Sequence, residues 1–303
     1  MYKVSVSIPA VSTNIGPGYD VLGLALNLRN VVEMSLPRDD QLTVIVRGEG
    51  QDRLPTDFHN PAVRAAIRLF QAVEQAPAGL SVRCTNAIPL DVGLSARATL
   101  CVGGLVAANN LLGNPLPQAE LIALAAQITE RPEAVVTATR GSLGLCSHSA
   151  EGELLHRTLE VAPLRVILAV PELADHAPKL RDALPDPVPL ADAIFNMGHT
   201  ALLIEALRAG DLALLARAVA DRLHEPHRTP HISGYAAARA AALEAGAAAV
   251  TLCGAGPALL AFAEGHHQIV ESAILSAFHQ AGVRARTWIL GVDRQGVVIS
   301  VVE

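Results

Sequence analysis

The spacing of apolar residues along the chain predicts where its strands and helices lie. Apolar and polar residues alternate strictly over residues 4–8, which predicts a half-buried strand that ends at Pro9. Apolar runs bounded by turn residues predict further strands at 42–46, 80–88, within 154–170 and at 248–252. Helical spacing of apolar residues predicts helices at 60–75, 98–112, 118–129, 191–209, 211–223 and 235–245.

The end of the chain carries a turn signal between two apolar runs. The sequence DRQG at residues 293–296 separates runs at 287–292 and 297–302, and this pattern predicts a closing β-hairpin. Helices mixed with short, mostly antiparallel strands in both halves predict a two-lobed α+β protein. We place the lobe boundary between residues 1–155 and 156–303.

Composition and charge exclude several classes of protein. Hydrophobic residues make up 51% of the 303 residues and charged residues 17%, which is typical of a globular chain rather than a disordered one. The formal net charge of −6 argues against nucleic acid and anionic membranes as partners. Apolar runs fall short of the roughly 18 residues that a membrane span needs. Scattered cysteines, with neither a CxxC pair nor a signal-like start, predict reduced thiols and a cytoplasmic protein.

The most informative local pattern is the sequence NIGPGYD at residues 14–20. Two glycines around a proline predict a tight turn. This turn brings Asn14 and Asp20 together at its mouth, where an amide and a carboxylate can hold an amino or hydroxyl group of a small polar ligand. In the alternative interpretation, the two side chains only satisfy backbone donors of their own turn.

Residues 9–26 resemble the amino-terminal signature of homoserine kinases, P-x-S/T-x-A-N-x-G-P-G-F-D-x-L-G-L-A-L. These enzymes belong to the superfamily of galactose, homoserine, mevalonate and phosphomevalonate (GHMP) kinases. The resemblance implies a two-lobed GHMP-kinase-like fold, whose N-terminal lobe is like the second domain of a small-subunit ribosomal protein and whose C-terminal lobe is ferredoxin-like. It also implies ATP and Mg²⁺ as cofactors, L-homoserine as the substrate, and a homodimer.

The second half of the chain extends the resemblance on the substrate side. Three segments are similar to homoserine kinase segments, namely RDALP at 181–185, ADAIFN at 191–196 and DRLHEPHR at 221–228. The resemblance implies that Arg181 and Arg228 bind the α-carboxylate of homoserine, for which a guanidinium offers a bidentate fork. It implies that Asn14 and Asp20 bind the amino and hydroxyl end. Taken alone, each arginine is typical of a solvated surface charge.

The sequence PLDVGLSARA at residues 89–98 is similar to the phosphate-binding loop P-x-x-x-G-L-G-S-S-A of the superfamily. In such a loop, backbone N–H groups and a helix N-terminus bind the ATP phosphates. Ser95 stands in place of a glycine, and Ala96 and Arg97 stand in place of two serines. The resemblance implies a set of nucleotide-binding residues, namely Asn60, Pro89, Gly93, Leu94, Ser95, Ala96 and Arg97.

The magnesium motif of homoserine kinases, E-G-H-P-D-N-V-A-P-A, corresponds here to TERPEAVVTA at residues 129–138. Alignment on the proline puts Thr129 at the position of the metal-binding glutamate. Glu130, one residue away, is the candidate replacement for it, and the sequence leaves open whether Glu130 or Glu133 fills this role. Arg131, together with Arg97, is the candidate source of positive charge at the phosphates.

The sequence CGAGPA at residues 253–258 is similar to the carboxy-terminal loop S-G-A-G-P-T of these kinases. The resemblance implies that Gly254, Ala255 and Gly256 close the active site from the second lobe.

Two functional hypotheses follow from these motifs. In the first, which the full-length resemblance favours, the protein is an ATP-dependent homoserine kinase that makes O-phosphohomoserine for threonine biosynthesis. In the alternative, which the rewritten phosphate and magnesium motifs suggest, it is a catalytically impaired relative that binds homoserine or a related amino acid without phosphorylating it. A mevalonate or sugar kinase is disfavoured, because the ADAIFN and DRLHEPHR segments match homoserine kinases.

Overall fold

The computed structural model of the protein describes residues 2–173, 180 and 183–302. Seven strands of this described part form the first sheet, namely β1 (Lys3–Thr13), β2 (Leu22–Ser35), β3 (Leu42–Gly48), β4 (Leu80–Asn86), β5 (Leu143–His148), β6 (Leu154–Leu159) and β11 (Val298–Val302). Its main order is β11-β1-β2-β4-β3, with β5 and β6 continuing from the start of β2. All pairings in it are antiparallel except β3 with β4.

Four helices cover the first sheet or extend its lobe, namely α1 (Pro61–Ala72), α2 (Ala96–Leu111), α3 (Gln118–Thr129) and α4 (Pro132–Arg140). The helix α2 is buried on nearly all sides and packs on β1 and β2. Close packing there depends on small residues, because a Cβ at Gly103 would come within 2.6 Å of Ile8 and 2.8 Å of Val32.

The second sheet, within the described residues, has the order β10-β7-β9-β8 and is antiparallel. Its strands are β7 (Arg165–Pro171), β8 (Ala249–Leu252), β9 (Leu259–Phe262) and β10 (Ala285–Gly291). The α-helices of this half, within the ranges that the structure describes, include α5 (Leu190–Ala209), α6 (Leu212–Ala218), α7 (Glu225–Arg228), α8 (Tyr235–Glu244) and α9 (His267–Gln280).

The strand β7 is buried on both faces, which explains its unbroken apolar sequence. Val166 and Leu168 belong to the core that fills the first lobe, whereas Ile167 and Ala169 belong to a second core beneath α8 and α9. The two lobes are therefore packed together through one face of the second sheet, and the predicted two-lobed α+β architecture is confirmed.

Two predicted boundaries need correction, and the structure contains elements that were not predicted. The strand β1 does not end at Pro9 but continues to Thr13, with a register shift between Pro9 and Ala10 that tolerates the missing N–H of proline. The helix predicted at 211–223 ends at Ala218, because the carboxylate of Asp221 accepts hydrogen bonds from the backbone that follows it. The nine-residue α4 was not predicted.

The predicted closing hairpin is also wrong. Both of its strands exist, but β10 pairs with β7 in the second sheet and β11 pairs with β1 in the first. The segment between them carries the chain from one sheet to the other, and the guanidinium of Arg29 pairs there with Asp293 and donates to the carbonyl oxygen of Gly296.

The strand pairings bear on the predicted lobe boundary at 155/156. That position falls inside β6, which pairs with β5 of the first sheet, and β11 at the far end of the chain returns to the same sheet. In the described ranges, long apolar helices of the kind that cross a bilayer are absent.

Candidate active site

The 14–20 turn has the strained backbone that its sequence predicts. Asn14 and Asp20 both have positive φ angles, of 56° and 52°. The side-chain oxygen of Asn14 accepts a hydrogen bond from the backbone N–H of Asp20 at 2.8 Å, so the local capping role is real. The Asn14 Nδ2 is buried and has no partner among the described residues, whereas the Asp20 carboxylate is exposed. Both groups thus keep hydrogen-bonding capacity for a ligand.

The second lobe holds this turn rigidly. His224 Nε2 lies 2.9 Å from the carbonyl oxygen of Gly16, and the Gly16 N–H donates to Thr251 Oγ1 at 2.8 Å. Thr200 donates to the carbonyl oxygen of Pro17 at 2.9 Å. A Cβ at Gly16 would overlap the carbonyl oxygen of Val219, so this close contact requires glycine.

Asp221 organises the segment that supports the turn. Its carboxylate accepts hydrogen bonds from the backbone N–H groups of Leu223, His224 and Glu225 and from the side-chain amide of Asn196. Although burial works to raise it, the pKa of Asp221 is lowered by His224 and by these hydrogen bonds. The ADAIFN and DRLHEPHR segments therefore act largely by positioning the turn, which the sequence alone did not indicate.

Arg228 lies next to the turn, as the resemblance implied. Its guanidinium is buried, with Nε donating to the carbonyl oxygen of Leu180 at 2.9 Å and Nη1 lying 3.3 Å from His224 Nδ1. The same guanidinium stands over the ring of Tyr19, 5.4 Å from its centroid. Arg181, the other predicted carboxylate ligand, lies outside the described residues.

A cleft of about 630 Å³ opens beside the turn. Four of the seven predicted nucleotide-binding residues line its wall, namely Gly93, Ser95, Ala96 and Arg97. The candidate charge donor Arg131 and the carboxy-terminal loop residues Gly254, Ala255 and Gly256 line it as well. Pro89 and Leu94 are buried and support the loop from beneath. The structure thus brings the 89–98 loop and the 253–258 loop together across one cleft.

The loop geometry presents a helix N-terminus to this cleft. Gly93 has a φ of +92°, and a Cβ there would overlap the carbonyl oxygen of Cys253 in the opposite loop. Ser95 precedes α2 in the left-handed conformation, with a φ of 55°, which explains why a glycine is favoured at this position. Its side chain does not cap the helix, so the first N–H groups of α2 lack a side-chain cap and suit an anion.

Two arginines enter the cleft from different sides. Arg97 pairs with Asp91 at 3.2 Å, and Arg53 pairs with the same carboxylate at 2.6 Å. Arg131 Nη1 lies 3.7 Å from Asp20 Oδ1, so this side chain connects the cleft with the 14–20 turn. Both arginines therefore lie in the wall that also contains Gly93.

Asn60 does not reach the cleft. Its side chain is buried, and both of its polar atoms form hydrogen bonds. The Oδ1 accepts from the Ala62 N–H at 3.0 Å, and the Nδ2 donates to the Pro55 carbonyl oxygen at 2.9 Å. It caps the start of α1 and thereby shapes the loop whose His59 lies in the cleft wall. We assign it a structural role in place of direct nucleotide contact.

The acidic residues near the magnesium motif are arranged differently from the prediction. Glu130 is exposed at the end of α3 and does not line the cleft. Glu133, in the first turn of α4, does line it and has 1% of its surface exposed. Burial raises the pKa of Glu133 to about 7, the nearby charge of Asp20 adds to the shift, and Arg131 opposes it.

A buried carboxylate oxygen in a cleft that also suits phosphates fits a hard cation such as Mg²⁺, which needs few protein ligands when phosphates supply the rest. The Glu133 Oε1 has no hydrogen-bond partner among the described residues. The sequence favoured Glu130 and left Glu133 open, because the start of α4 decides which acid points inward and that helix was not predicted.

Comparisons with known proteins agree with this geometry. The models for the GHMP kinases N terminal domain and the GHMP kinases C terminal match residues 60–139 and 203–280. The homoserine kinase of Moorella thermoacetica is 39% identical over 296 residues, covering 97% of this chain and 99% of the relative. That of Gloeobacter violaceus is 40% identical over 302 residues, covering 98% of each.

Among solved structures, a homoserine kinase from Cytophaga hutchinsonii superposes with a TM-score of 0.89 at 24% identity, covering 98% of this chain and 97% of the other. At that identity the likeness concerns the fold alone. The full-length sequence matches carry the assignment further: the chain belongs to the homoserine kinase family of the GHMP kinases.

Proposed function

We propose that this protein is a homoserine kinase, which transfers the γ-phosphoryl group of ATP to the side-chain hydroxyl of L-homoserine. The observation that carries the proposal is the junction of two sites: a cleft built on a helix N-terminus adjoins the 14–20 turn, and Arg131 contacts the turn from the cleft wall. The full-length similarity to homoserine kinases supports the same reaction.

On the acceptor side, charge complementarity selects an amino acid. The exposed carboxylate of Asp20 suits an ammonium group, and the unpaired Nδ2 of Asn14 suits an oxygen. The buried Arg228 supplies positive charge for the α-carboxylate, with Arg181 as the second proposed partner. A substrate held at both ends presents its hydroxyl toward the cleft.

On the nucleotide side, the N-terminus of α2 and the side chains of Arg97 and Arg131 suit the phosphates. When bound, Mg²⁺ neutralises charge on the β- and γ-phosphates. The hydroxyl oxygen of homoserine attacks the γ-phosphorus, and the bond from that phosphorus to the β–γ bridging oxygen breaks. ADP leaves, and the hydroxyl proton is released to solvent. Positioning and charge stabilisation supply most of the catalysis in such reactions.

The wider setting is part of the proposal. The product, O-phosphohomoserine, suits a step of threonine biosynthesis. The free thiols of Cys84, Cys101, Cys146 and Cys253 are all buried, which supports a cytoplasmic location. A homodimer is implied by the family, and α5 carries the exposed apolar side chains Leu190, Ile194 and Met197 on one face.

The catalytically impaired alternative gains no support from the geometry. Ser95 adopts the backbone that its loop requires, and Arg97 pairs at the mouth of the cleft without filling it. The rewritten loop therefore leaves the phosphate site open.

An acceptor panel tests the proposal. ADP production is measured with L-homoserine, L-serine, N-acetyl-L-homoserine, mevalonate and galactose at saturating Mg-ATP. We expect the highest kcat/KM with L-homoserine and a large loss with the N-acetyl compound, which lacks the ammonium group. A higher kcat/KM with mevalonate or galactose would contradict the proposed acceptor.

A further inference from the structure

Glu133 is an unusual residue for an anion-binding cleft. It lies in the first turn of α4, belongs to the cleft wall and has 1% of its surface exposed. Its Oε1 has no hydrogen-bond partner among the described residues. A buried, unpartnered carboxylate oxygen is costly, so its presence calls for a ligand that satisfies it.

The other acid of the cleft wall is already satisfied. Asp91 is paired with both Arg53 and Arg97. Burial works to raise the pKa of Asp91, but the two arginines outweigh it and hold the pKa below its ordinary value. Among the described carboxylates of the wall, Glu133 is therefore the one left to receive a cation.

The residues that precede Glu133 in the magnesium motif are poor alternatives as ligands. Thr129, also in the wall, donates its hydroxyl to the carbonyl oxygen of Ala125 at 2.8 Å inside α3. Glu130 points to solvent outside the cleft. The charge of Arg131 works to lower the pKa of Glu133, but the guanidinium of Arg131 pairs with the carboxylate of Asp20, at 3.7 Å.

We infer that Glu133 is the protein ligand of the divalent cation that accompanies the nucleotide in this chain. The inference rests on the proposed function, since it presupposes a nucleotide in the cleft. One carboxylate is enough for Mg²⁺ when phosphate oxygens and water complete its octahedral shell. This assignment puts the metal-binding acid at position 133, in the first turn of α4. Thr129 occupies the position that the resemblance gives to the metal-binding glutamate.

Binding measurements without turnover test this inference. The variants Glu133→Gln and Glu130→Gln are compared with wild type, and Glu120→Gln, an exposed residue of α3, serves as the control. Calorimetry gives the affinity for a non-hydrolysable ATP analogue in Mg²⁺ and in EDTA. Electron paramagnetic resonance counts the Mn²⁺ bound together with the analogue.

We expect Mg²⁺ to tighten binding of the analogue to wild type, and Glu133→Gln to lose about tenfold or more of that gain. In EDTA the same variant binds the analogue at least as tightly as wild type, because it removes a negative charge from an anion site. Glu130→Gln and the control Glu120→Gln keep the gain and the bound Mn²⁺.

The opposite results are equally clear. If Glu133→Gln keeps the full metal-dependent gain, or if Glu130→Gln loses it, the assignment is overturned while the proposed function stands. If wild type binds no nucleotide in either condition, the proposed function fails and the inference fails with it.

Discussion

At the scale of single residues, the side chain of Asp20 is available to a ligand because other residues hold the turn in which it lies. The turn that carries it is fixed by His224, Thr251 and Thr200 from the second lobe, so its carboxylate needs no role in holding the backbone. Its one described ion pair, with Arg131 at 3.7 Å, is half-exposed and correspondingly weak.

We therefore expect Asp20→Asn to act on substrate binding and to leave folding intact. Loss of a charge-assisted hydrogen bond to the ammonium group raises the KM for L-homoserine by about 10- to 100-fold, with little change in the KM for ATP. Steady-state kinetics measure both constants, and Asp52→Asn, at an exposed position, is the control. An unchanged KM for homoserine would remove Asp20 from the acceptor site.

Backbone conformation is the second residue-scale feature, and Gly93 shows it best. Gly93 and Gly152 have similar φ angles, +92° and +85°, but a Cβ at Gly93 would overlap Cys253 whereas one at Gly152 would meet nothing within 4 Å. The pair separates backbone strain from steric overlap.

We expect Gly152→Ala to lower the free energy of unfolding by about 1 kcal/mol through strain alone. Gly93→Ala is expected to lower it by about 3 kcal/mol or more and to weaken ATP binding, because the two loops of the cleft must separate. Urea denaturation of both variants gives the comparison. Equal losses would show that the loops do not meet as described.

At the scale of elements, the short helix α7 is tied to β8 by one carboxylate. Glu225 accepts a hydrogen bond from the Leu252 N–H at 2.8 Å and another from the Thr251 hydroxyl. Burial raises its pKa from the ordinary 4.5 to about 7. The folded protein therefore keeps this proton over a range of pH in which the unfolded chain has lost it.

Because folding raises the pKa of Glu225, its contribution to the free energy of unfolding is fully present below about pH 4.5 and is lost as pH rises through about 7. In Glu225→Gln the titrating group is gone, so the free energy of unfolding should fall less between pH 5 and pH 7.5 than it does in wild type. Urea titrations at the two pH values measure this. An identical fall in both proteins would mean that Glu225 does not titrate as described.

Local elements were largely predictable, and their long-range partners were not. The helix at 118–129 and the strand at 80–86 follow from local spacing and agree with prediction almost to the residue. The pairing of β11 with β1 could not be predicted, since a turn sequence such as DRQG reports local geometry and not which strand lies alongside. The inward direction of Glu133 likewise depends on where α4 begins.

At the scale of the whole molecule, the site exists only because the lobes are packed together. The 14–20 turn belongs to the first lobe, yet its hydrogen bonds run to α5, α7 and β8 of the second. The family motifs indicated which residues meet there, and spacing along the sequence alone did not. The ADAIFN and DRLHEPHR motifs contribute to the site through the buried hydrogen bonds that Asp221 makes with Asn196 and His224.

The same scale includes assembly. Leu190, Ile194 and Met197 recur on one face of α5 and are 75%, 56% and 65% exposed. If this face joins two copies of the chain, Met197→Glu should shift a dimer toward monomer with the far-ultraviolet circular dichroism unchanged, whereas Met197→Leu should not. Sedimentation equilibrium distinguishes the two variants. A monomeric wild type would contradict the proposed homodimer.

We propose above that the rewritten cleft still carries out phosphoryl transfer to homoserine, and identification of the reaction product decides whether it does. Purified protein is incubated with Mg-ATP and L-homoserine, and the product is identified by mass and by its phosphorus resonance. We expect O-phosphohomoserine at a rate above about 1 s⁻¹. The absence of product from protein that binds both ATP and homoserine would contradict it and would identify the chain as a ligand-binding relative of the kinases.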